Sequence, residues 1–143
     1  MDESISPIVT PEKLICTVLE QLAELQGKVY PSGALQNAEA PFSFYEQLTE
    51  EEEETLEGYT GLRFNRYRIH VVAGNYDALT RLSRKVRMRL QRLQGATMTP
   101  PEEDAVPLLL EQVTVKQSSP DLWERDVGLY RRVYELELHW QAA

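Results

Sequence analysis

The sequence predicts an α+β fold of two layers, in which a mostly antiparallel four-stranded sheet carries two amphipathic helices packed on one face. Two segments repeat apolar residues at spacings of three and four, which is typical of helices, and both have terminal signals. Four other segments alternate apolar and polar residues, which is typical of half-buried strands. The order is helix, strand, strand, helix, strand, strand. Because the strands follow one another in pairs, antiparallel pairing is favoured.

The first helix is expected over about residues 11–26. Thr10 can cap this helix, Pro11 suits its first position, and Gly27 follows as a C-terminal stop. Its apolar stripe comprises Leu14, Ile15, Val18, Leu19, Leu22 and Leu25. Cys16 lies at the edge of that stripe, so we interpret it as a small buried hydrophobe rather than a nucleophile.

The second helix is expected to begin after Asn75, which can cap it, and to end near Gln94, before Gly95. Its apolar stripe comprises Leu79, Leu82, Val86, Leu90 and Leu93. Basic residues occupy most of the remaining surface: Arg81, Arg84, Lys85, Arg87, Arg89 and Arg92. Met88 lies among them, roughly 180° from the stripe. A methionine that points away from its own core indicates an interface, and the alternative is a solvated face.

The predicted strands lie at about 42–48, at 62–73, at 108–117 and at 129–141. A short extended piece at 28–31 precedes the first of them. Two segments without apolar periodicity are predicted to be mobile loops, at about 49–61 and about 96–107. The chain has 143 residues, which is enough for one core, so residues 1–143 are expected to form a single domain.

Signatures of catalysis and of cofactor binding are absent from the sequence. No Gly-rich phosphate loop, nucleophile elbow, His-Glu-x-x-His or Cys-x-x-Cys occurs, so we predict a non-enzymatic protein without a cofactor or a metal site. His70 and His139 fall on polar strand faces and are interpreted as surface residues, because two histidines without patterned carboxylates make a poor metal site. The glutamates at 50–54 cannot all face one cation. They are interpreted as solvated, with an acidic docking surface as the second choice.

Aromatic residues divide into two groups. Tyr67, Tyr130, Tyr134 and Trp140 follow strand alternation and are predicted to be core. Trp123 lies in a polar turn, so we predict that it is partly buried or that it contacts another chain.

The net charge of -8 is divided unevenly along the chain. Residues 1–61 carry a net charge of -11, residues 62–95 carry +8 and residues 96–143 carry -5. Such blocks can pair within one fold or with the opposite block of a neighbouring copy. No apolar run is long enough to span a membrane and no signal peptide is evident. A lone cysteine fits a reducing cytoplasm.

The order of elements and several short segments resemble the phage tail-completion family, the tail-terminator and neck proteins of long-tailed phages and prophages. The segments are Gly-Lys-Val-Tyr-Pro at 27–31, Pro-Phe-Ser-Phe-Tyr at 41–45, Tyr-Arg-Ile-His-Val-Val-Ala at 67–73, the helix start Asn-Tyr-Asp-Ala at 75–78, and Tyr-Arg-Arg-Val-Tyr-Glu-Leu at 130–136. These are signatures of architecture, not of catalysis. Relative to the family pattern, the glutamate run and the proline-rich segment at 96–107 look like local insertions.

The resemblance implies a homo-oligomeric ring, commonly a hexamer, that caps the tail tube and offers its other side to the head–tail connector. The implied partners are other copies of the chain, the tail-tube protein and the connector protein, with DNA only passing through the ring. The implied location is the virion, assembled in the cytoplasm of the host bacterium. Two alternatives stay open: a head-completion or connector protein of the neck, and, from a different class, a nucleic-acid-binding module that uses the basic second helix.

Ring formation needs two different patches that meet on successive copies, and the oppositely charged blocks offer such a pair. The predicted subunit contacts are Arg81, Arg84, Lys85, Met88, Arg92, Glu50, Glu51, Glu52, Glu53, Glu54 and Trp123.

Overall fold

The computed structural model describes residues 11–32, 38–55, 58–99 and 107–142, with the backbone alone described at 52–55 and 58–61. In these parts of the chain a seven-stranded sheet curls into a half-barrel and packs against two α-helices. The elements are α1 (Glu12–Glu20), a short 3-10 helix (Ala23–Leu25), β1 (Val29–Pro31), β2 (Phe42–Thr55), β3 (Gly58–Ala73), α2 (Tyr76–Gln91), β4 (Thr97–Met98), β5 (Leu108–Gln117), β6 (Leu122–Glu124) and β7 (Leu129–Ala142).

The strand order is β1-β2-β3-β7-β5-β4, with β6 paired to β7 beyond this path. β1 runs parallel to β2 and the other pairings are antiparallel. The predicted two-layer fold with a four-stranded, mostly antiparallel sheet and both helices on one face is therefore wrong. β1 lies within the extended piece predicted at 28–31. Strands of two or three residues are too short to show alternation in a sequence, so β4 and β6 carry no strand signal. The twist that accumulates over strands of 14 to 16 residues favours curling of the sheet.

β2 and β3 form one long hairpin through the glutamate run. Their pairing continues from Glu50 opposite Asn65 to Thr55 opposite Gly58. The predicted loop at 49–61 is wrong for the residues that the structure describes, because the ladder satisfies the backbone and successive side chains of a strand leave on opposite faces. In the second predicted loop, β4 occupies Thr97–Met98, and residues 100–106 lie outside the described residues.

The first helix is shorter than predicted. α1 ends at Glu20, and Leu22 is extended, with φ of -75° and ψ of 131°, before the 3-10 helix begins. Pro11 is the N-cap residue, whereas Thr10, the predicted cap, lies outside the described residues. Gly27 adopts φ of 67°, the left-handed conformation expected of a glycine that ends a helical segment.

The start of the second helix is confirmed at Asn75. Its side-chain oxygen accepts a hydrogen bond from the backbone N–H of Ala78 at 2.8 Å. The helix ends at Gln91, slightly earlier than predicted, and Gly95 follows with φ of 77°. No helix in the described parts of the chain is long and apolar enough to cross a membrane.

The main core lies between the helices and one face of β3, β5 and β7. Tyr67, Tyr134 and Trp140 are buried in it, as predicted, and Tyr130 is partly buried at its edge. Asn65 is a buried polar residue in this core, and its side-chain amide oxygen accepts a hydrogen bond from the indole N–H of Trp140 at 2.7 Å. Because α1, α2 and the sheet share this core, packing fixes the orientation of α2 and therefore which of its residues face outward.

Replacing Asn75 with alanine is expected to lower the free energy of unfolding by about 1 kcal/mol, because the N–H of Ala78 loses its capping acceptor. Urea unfolding followed by circular dichroism measures the effect. Asn75→Asp retains a capping oxygen and is the matched control, with stability expected close to that of the parent. Equal losses in the two variants would contradict the capping role.

Candidate functional site

The outward side of α2 is a basic surface. The buried residues of α2 are Leu79, Leu82, Ser83, Val86 and Leu90, and most of the other positions turn outward. We call this the basic helix surface; its exposed residues are Arg81, Arg84, Lys85, Arg87, Met88 and Arg92. Met88 is 46% exposed, which agrees with the orientation inferred from helical spacing. Its contact role stays a prediction.

The cations of the basic helix surface differ in their partners. Arg81 pairs with Asp77 one turn earlier on the helix. Lys85 pairs with Glu24 at 2.8 Å. Arg89, at the edge of the surface, donates a hydrogen bond to the side-chain oxygen of Gln21 at 2.8 Å.

Three arginines of the same surface, Arg84, Arg87 and Arg92, form no ion pair with any residue in the described parts of the chain. Arg84, Met88 and Arg92 follow one another at four-residue spacing and share one side of the helix. An exposed thioether therefore lies between two unpaired guanidinium groups, an arrangement suited to an acidic partner with some apolar surface.

A groove runs beside this row, between α2 and the segment that follows α1. Its volume is about 370 Å³, and α2 contributes Lys85, Met88, Arg89 and Arg92 to one wall. The opposite wall is formed by Gln21, Leu22, Ala23 and Glu24. The groove exists because α1 ends early and the chain turns at Leu22, a feature that the predicted helix over 11–26 did not contain.

Negative charge is concentrated in the C-terminal half of β2, where the glutamates at 50–54 lie. Glu50 and Glu51 are exposed and form no ion pair with another described residue, and three more glutamates follow them in the strand. Burial raises the pKa of Glu12, and the nearby charge of Glu50 raises it further, so carboxylates repel each other here. We call residues 50–54 the acidic strand end. The side chains of Glu52, Glu53 and Glu54 lie outside the described residues.

The two charged surfaces lie at opposite ends of α1. Glu12 lies at the start of α1, where the charge of Glu50 adds to burial in raising its pKa. Gln21 and Leu22 lie beyond the other end of the helix and line the groove. α1 has nine residues, which span about 13 Å. Among the side chains that the structure describes, Glu50 and Glu51 form no ion pair with the predicted basic contact residues of α2.

Trp123 lies on β6 and is 49% exposed, so it is one of the exposed large apolar side chains of the described residues, and its contact with another chain stays a prediction. Its ring packs against Tyr130 at 4.4 Å between centroids, and Tyr130 in turn contacts Tyr76 at 5.8 Å. Arg132 on β7 donates two hydrogen bonds of 2.8 Å to the carboxylate of Asp121, the residue before β6, and they fix the start of the β6–β7 hairpin. Sequence reasoning did not identify Tyr76, although a large aromatic next to an N-cap is a signal for an exposed first turn.

The face of the sheet away from the helices carries ion pairs between neighbouring strands. Arg66 contacts Glu135 and Glu137 at 3.3 and 3.0 Å. Arg68 contacts Glu46 at 3.4 Å. Charges on this face are thus largely paired with one another.

His70 is buried, and its interpretation as a surface residue is wrong. Its ring stacks on Phe44 at 4.0 Å, because Phe42, Phe44 and Val72 form a second small core on this face. Burial lowers the pKa of His70, while the hydrogen bond from its Nε2 to Glu46 at 2.8 Å opposes that shift. His139 is exposed, as predicted, and packs on Phe64 instead.

Neither histidine belongs to a metal site in the described parts of the chain, where no group of three potential ligands occurs. Cys16 was predicted to be a small buried hydrophobe; it is half-buried and packs at the edge of the core beside Tyr45. Burial raises the pKa of its thiol, which disfavours the nucleophilic thiolate at neutral pH.

Acidification is expected to destabilise the fold through His70. Because the folded pKa lies below the ordinary value of 6.5, the unfolded chain takes up the proton first and stability falls as the pH drops below about 6.5. Thermal unfolding of the wild-type protein and of His70→Gln between about pH 7 and about pH 5 measures this loss. The variant is expected to show a flatter profile in that window; equal slopes would contradict the assignment.

No family model and no curated protein matches the chain. Among solved structures, a chain from the virion of a native gene transfer agent particle is similar, with 14% sequence identity. The match covers 87% of this chain and 85% of that one, with a TM-score of 0.42. A similarity at this level assigns neither fold nor function.

Proposed function

We propose that this protein is a structural subunit of a tailed-phage virion, and that it acts as a tail-terminator or tail-completion subunit. The observation that carries the proposal is the presence of two separate, oppositely charged surfaces on one chain. Closed rings are built from two different surfaces that meet on successive copies. The segments that resemble the tail-completion family fall mainly on β1, β2, β3 and β7, the framework that carries both surfaces.

The proposed role is assembly, without catalysis. In this role the chain forms a ring on the tail tube, and the ring offers its other side to the head–tail connector. The surfaces that support this role are held by hydrogen bonds and packing, and they surround no reactive group in the described residues. Copies of the chain, the tail-tube protein and the connector protein are the proposed partners, and the virion is the proposed location.

Nucleic-acid binding through α2 is the competing function, favoured by the three arginines that form no ion pair with another described residue. The net charge of -8 instead favours a protein partner over nucleic acid. Titration with labelled duplex DNA is expected to show no binding at low salt. Binding that weakens steeply as salt is raised, and that is lost in an Arg84→Glu, Arg92→Glu variant, would instead assign phosphate contacts to α2.

Deletion of the gene from the phage that encodes the chain tests the proposed function. Electron microscopy is expected to show filled heads without tails and tail tubes longer than normal, because nothing caps the growing tube. Supplying the protein from a plasmid is the control and should restore joined particles. Unjoined heads with tails of normal length would favour a head-completion role, and normal particles would contradict a role in assembly.

A further inference from the structure

We propose that the β6–β7 hairpin is a contact surface between two copies of this chain that are related by a two-fold axis. The aromatic side chains of one hairpin pack on those of the other, and Arg125 of each copy meets Asp126 of the other copy. The inference goes beyond the proposed ring, because the contact uses neither the basic helix surface nor the acidic strand end.

Exposed apolar side chains are concentrated around this hairpin. In the described parts of the chain five large apolar side chains are exposed, and Met88 is the one that lies elsewhere. The other four are Tyr76, Leu122, Trp123 and Val127. The rings of Trp123, Tyr130 and Tyr76 follow one another in a continuous row. Adjoining apolar side chains that are exposed to water indicate a protein contact.

The turn of the hairpin holds its exposed residues in place before any contact forms. The backbone N–H groups of Val127 and Gly128 donate to the carbonyl oxygen of Glu124 at 3.3 and 2.8 Å. Arg125 and Asp126 lie inside the turn that these two bonds close. A surface that is already ordered loses less conformational entropy when it binds, so the turn suits a contact.

The hairpin has no net charge. Residues 121–132 hold three acidic and three basic side chains, whereas the whole chain carries a net charge of -8. Four of the six form ion pairs within the hairpin, namely Glu124 with Arg131 at 2.9 Å and Asp121 with Arg132 at 2.8 Å. Two copies therefore approach each other here without the repulsion that net charge causes, and a strongly charged partner finds no opposite field.

The two remaining charges complement those of a second copy. Arg125 and Asp126 are adjacent and exposed, and neither forms an ion pair with another described residue. About a two-fold axis the same surface of both copies meets, so that one residue contacts a second and the second contacts the first. Arg125 then meets Asp126 twice, once in each direction. This self-complementarity favours a second copy over a different protein as the occupant.

The aromatic row sets the expected strength of the contact. Aromatic rings attract one another in offset and edge-to-face arrangements beyond the effect of buried area. Trp123 and Tyr76 are 49% and 53% exposed. Together they offer about 200 Å² per copy, since an aromatic side chain has about 150–250 Å² to bury. Stable interfaces bury about 1,600 Å² in total, so we expect a weak and reversible dimer.

Charge reversal in the turn tests the contact in the purified full-length chain. Arg125→Glu places two like-charge contacts in the dimer, and Asp126→Lys does so with the opposite sign. Sedimentation equilibrium up to about 1 mM is expected to show association at least about tenfold weaker for each variant than for the wild type. An equimolar mixture should associate like the wild type, because both charge contacts of a mixed pair again join opposite signs. The contact doubles the mass whether or not rings form, since the proposed ring uses other surfaces.

Tryptophan fluorescence reports on the hairpin itself. Of the two tryptophans of the chain, Trp140 is 2% exposed, so quenching by acrylamide acts on Trp123. Quenching of the wild type is expected to fall as the protein concentration rises, because the second copy covers this ring. In Arg125→Glu it should stay constant over the same range. Ring formation through other surfaces leaves Trp123 uncovered and does not produce this change.

The matched control is Lys116→Glu, which changes the net charge as Arg125→Glu does. Lys116 lies opposite Glu135, which leaves β7 on the other face from Tyr130. The control should associate like the wild type, and all variants should melt near the wild-type temperature, since the replaced side chains are exposed. Quenching of the wild type that is independent of concentration would overturn the proposal. Charge variants that associate like the wild type, or a mixture that associates no better than its components, would also overturn it.

Discussion

Replacing Asn65 with leucine is expected to lower the free energy of unfolding by about 3 kcal/mol or more. Asn65 is fully buried, and its carbonyl is the acceptor for the indole N–H of Trp140 at 2.7 Å. Its amide also donates to the hydroxyl of Tyr67 at 3.3 Å. Leucine has a similar size but satisfies neither group, so polar atoms of two core aromatics remain buried without this partner.

Urea unfolding followed by tryptophan fluorescence measures the loss in the Asn65 variant. Gln47→Leu is the matched control, because Gln47 is exposed and its side chain touches the same network only through a bond of 3.3 Å to Asn65. Its stability should stay within about 0.5 kcal/mol of the wild type. A change of that small size in the Asn65 variant itself would show that the network does not hold β3 to β7.

The second large effect is expected in the phage itself. A phage that carries Arg84→Glu with Arg92→Glu should yield at least about tenfold fewer infectious particles, because like charges then meet at every contact of the proposed ring and such contacts cost several kcal/mol. The purified variant should remain folded, since both side chains are exposed and make no ion pair in the described parts of the chain. The effect is measured by plaque counts of the lysates from cultures infected with the same number of phage per cell.

A compensating variant separates this explanation from damage to the fold. Adding Glu50→Lys with Glu51→Lys to the same chain reverses two charges on each surface, so the reversed positions of one copy can again meet opposite charges on its neighbour. Most of the lost yield should return. Yields that stay low in the fourfold variant, or that never fall in the double variant, would contradict a contact between these surfaces.

The elements with long, uninterrupted patterns were predictable from the sequence. β5 spans 108–117 in both the prediction and the structure, and Asn75 caps α2 as expected. In β5 the alternation of apolar residues, and at Asn75 the capping side chain, favour the same structure that tertiary packing requires. The outward orientation of Met88 followed from the same helical period, because the buried stripe of α2 fixes the opposite side.

Other features depend on neighbours that a sequence pattern does not contain. The glutamate run forms strand rather than loop because the partner strand β3 supplies a ladder that outweighs charge repulsion. His70 is buried because aromatic side chains of β2 cover it on the second face of the sheet. The partners of Lys85 and Arg89 on α2 are Glu24 and Gln21, which lie more than sixty positions earlier in the chain.

Location in the particle tests the central claim, that the chain is a ring subunit of a phage virion, most directly. Purified particles labelled with gold-conjugated antibody against the chain can be imaged by electron microscopy. The proposed function predicts gold at the head–tail junction of most particles and none along the tail. Unlabelled particles, together with protein that remains free in the lysate, would contradict it.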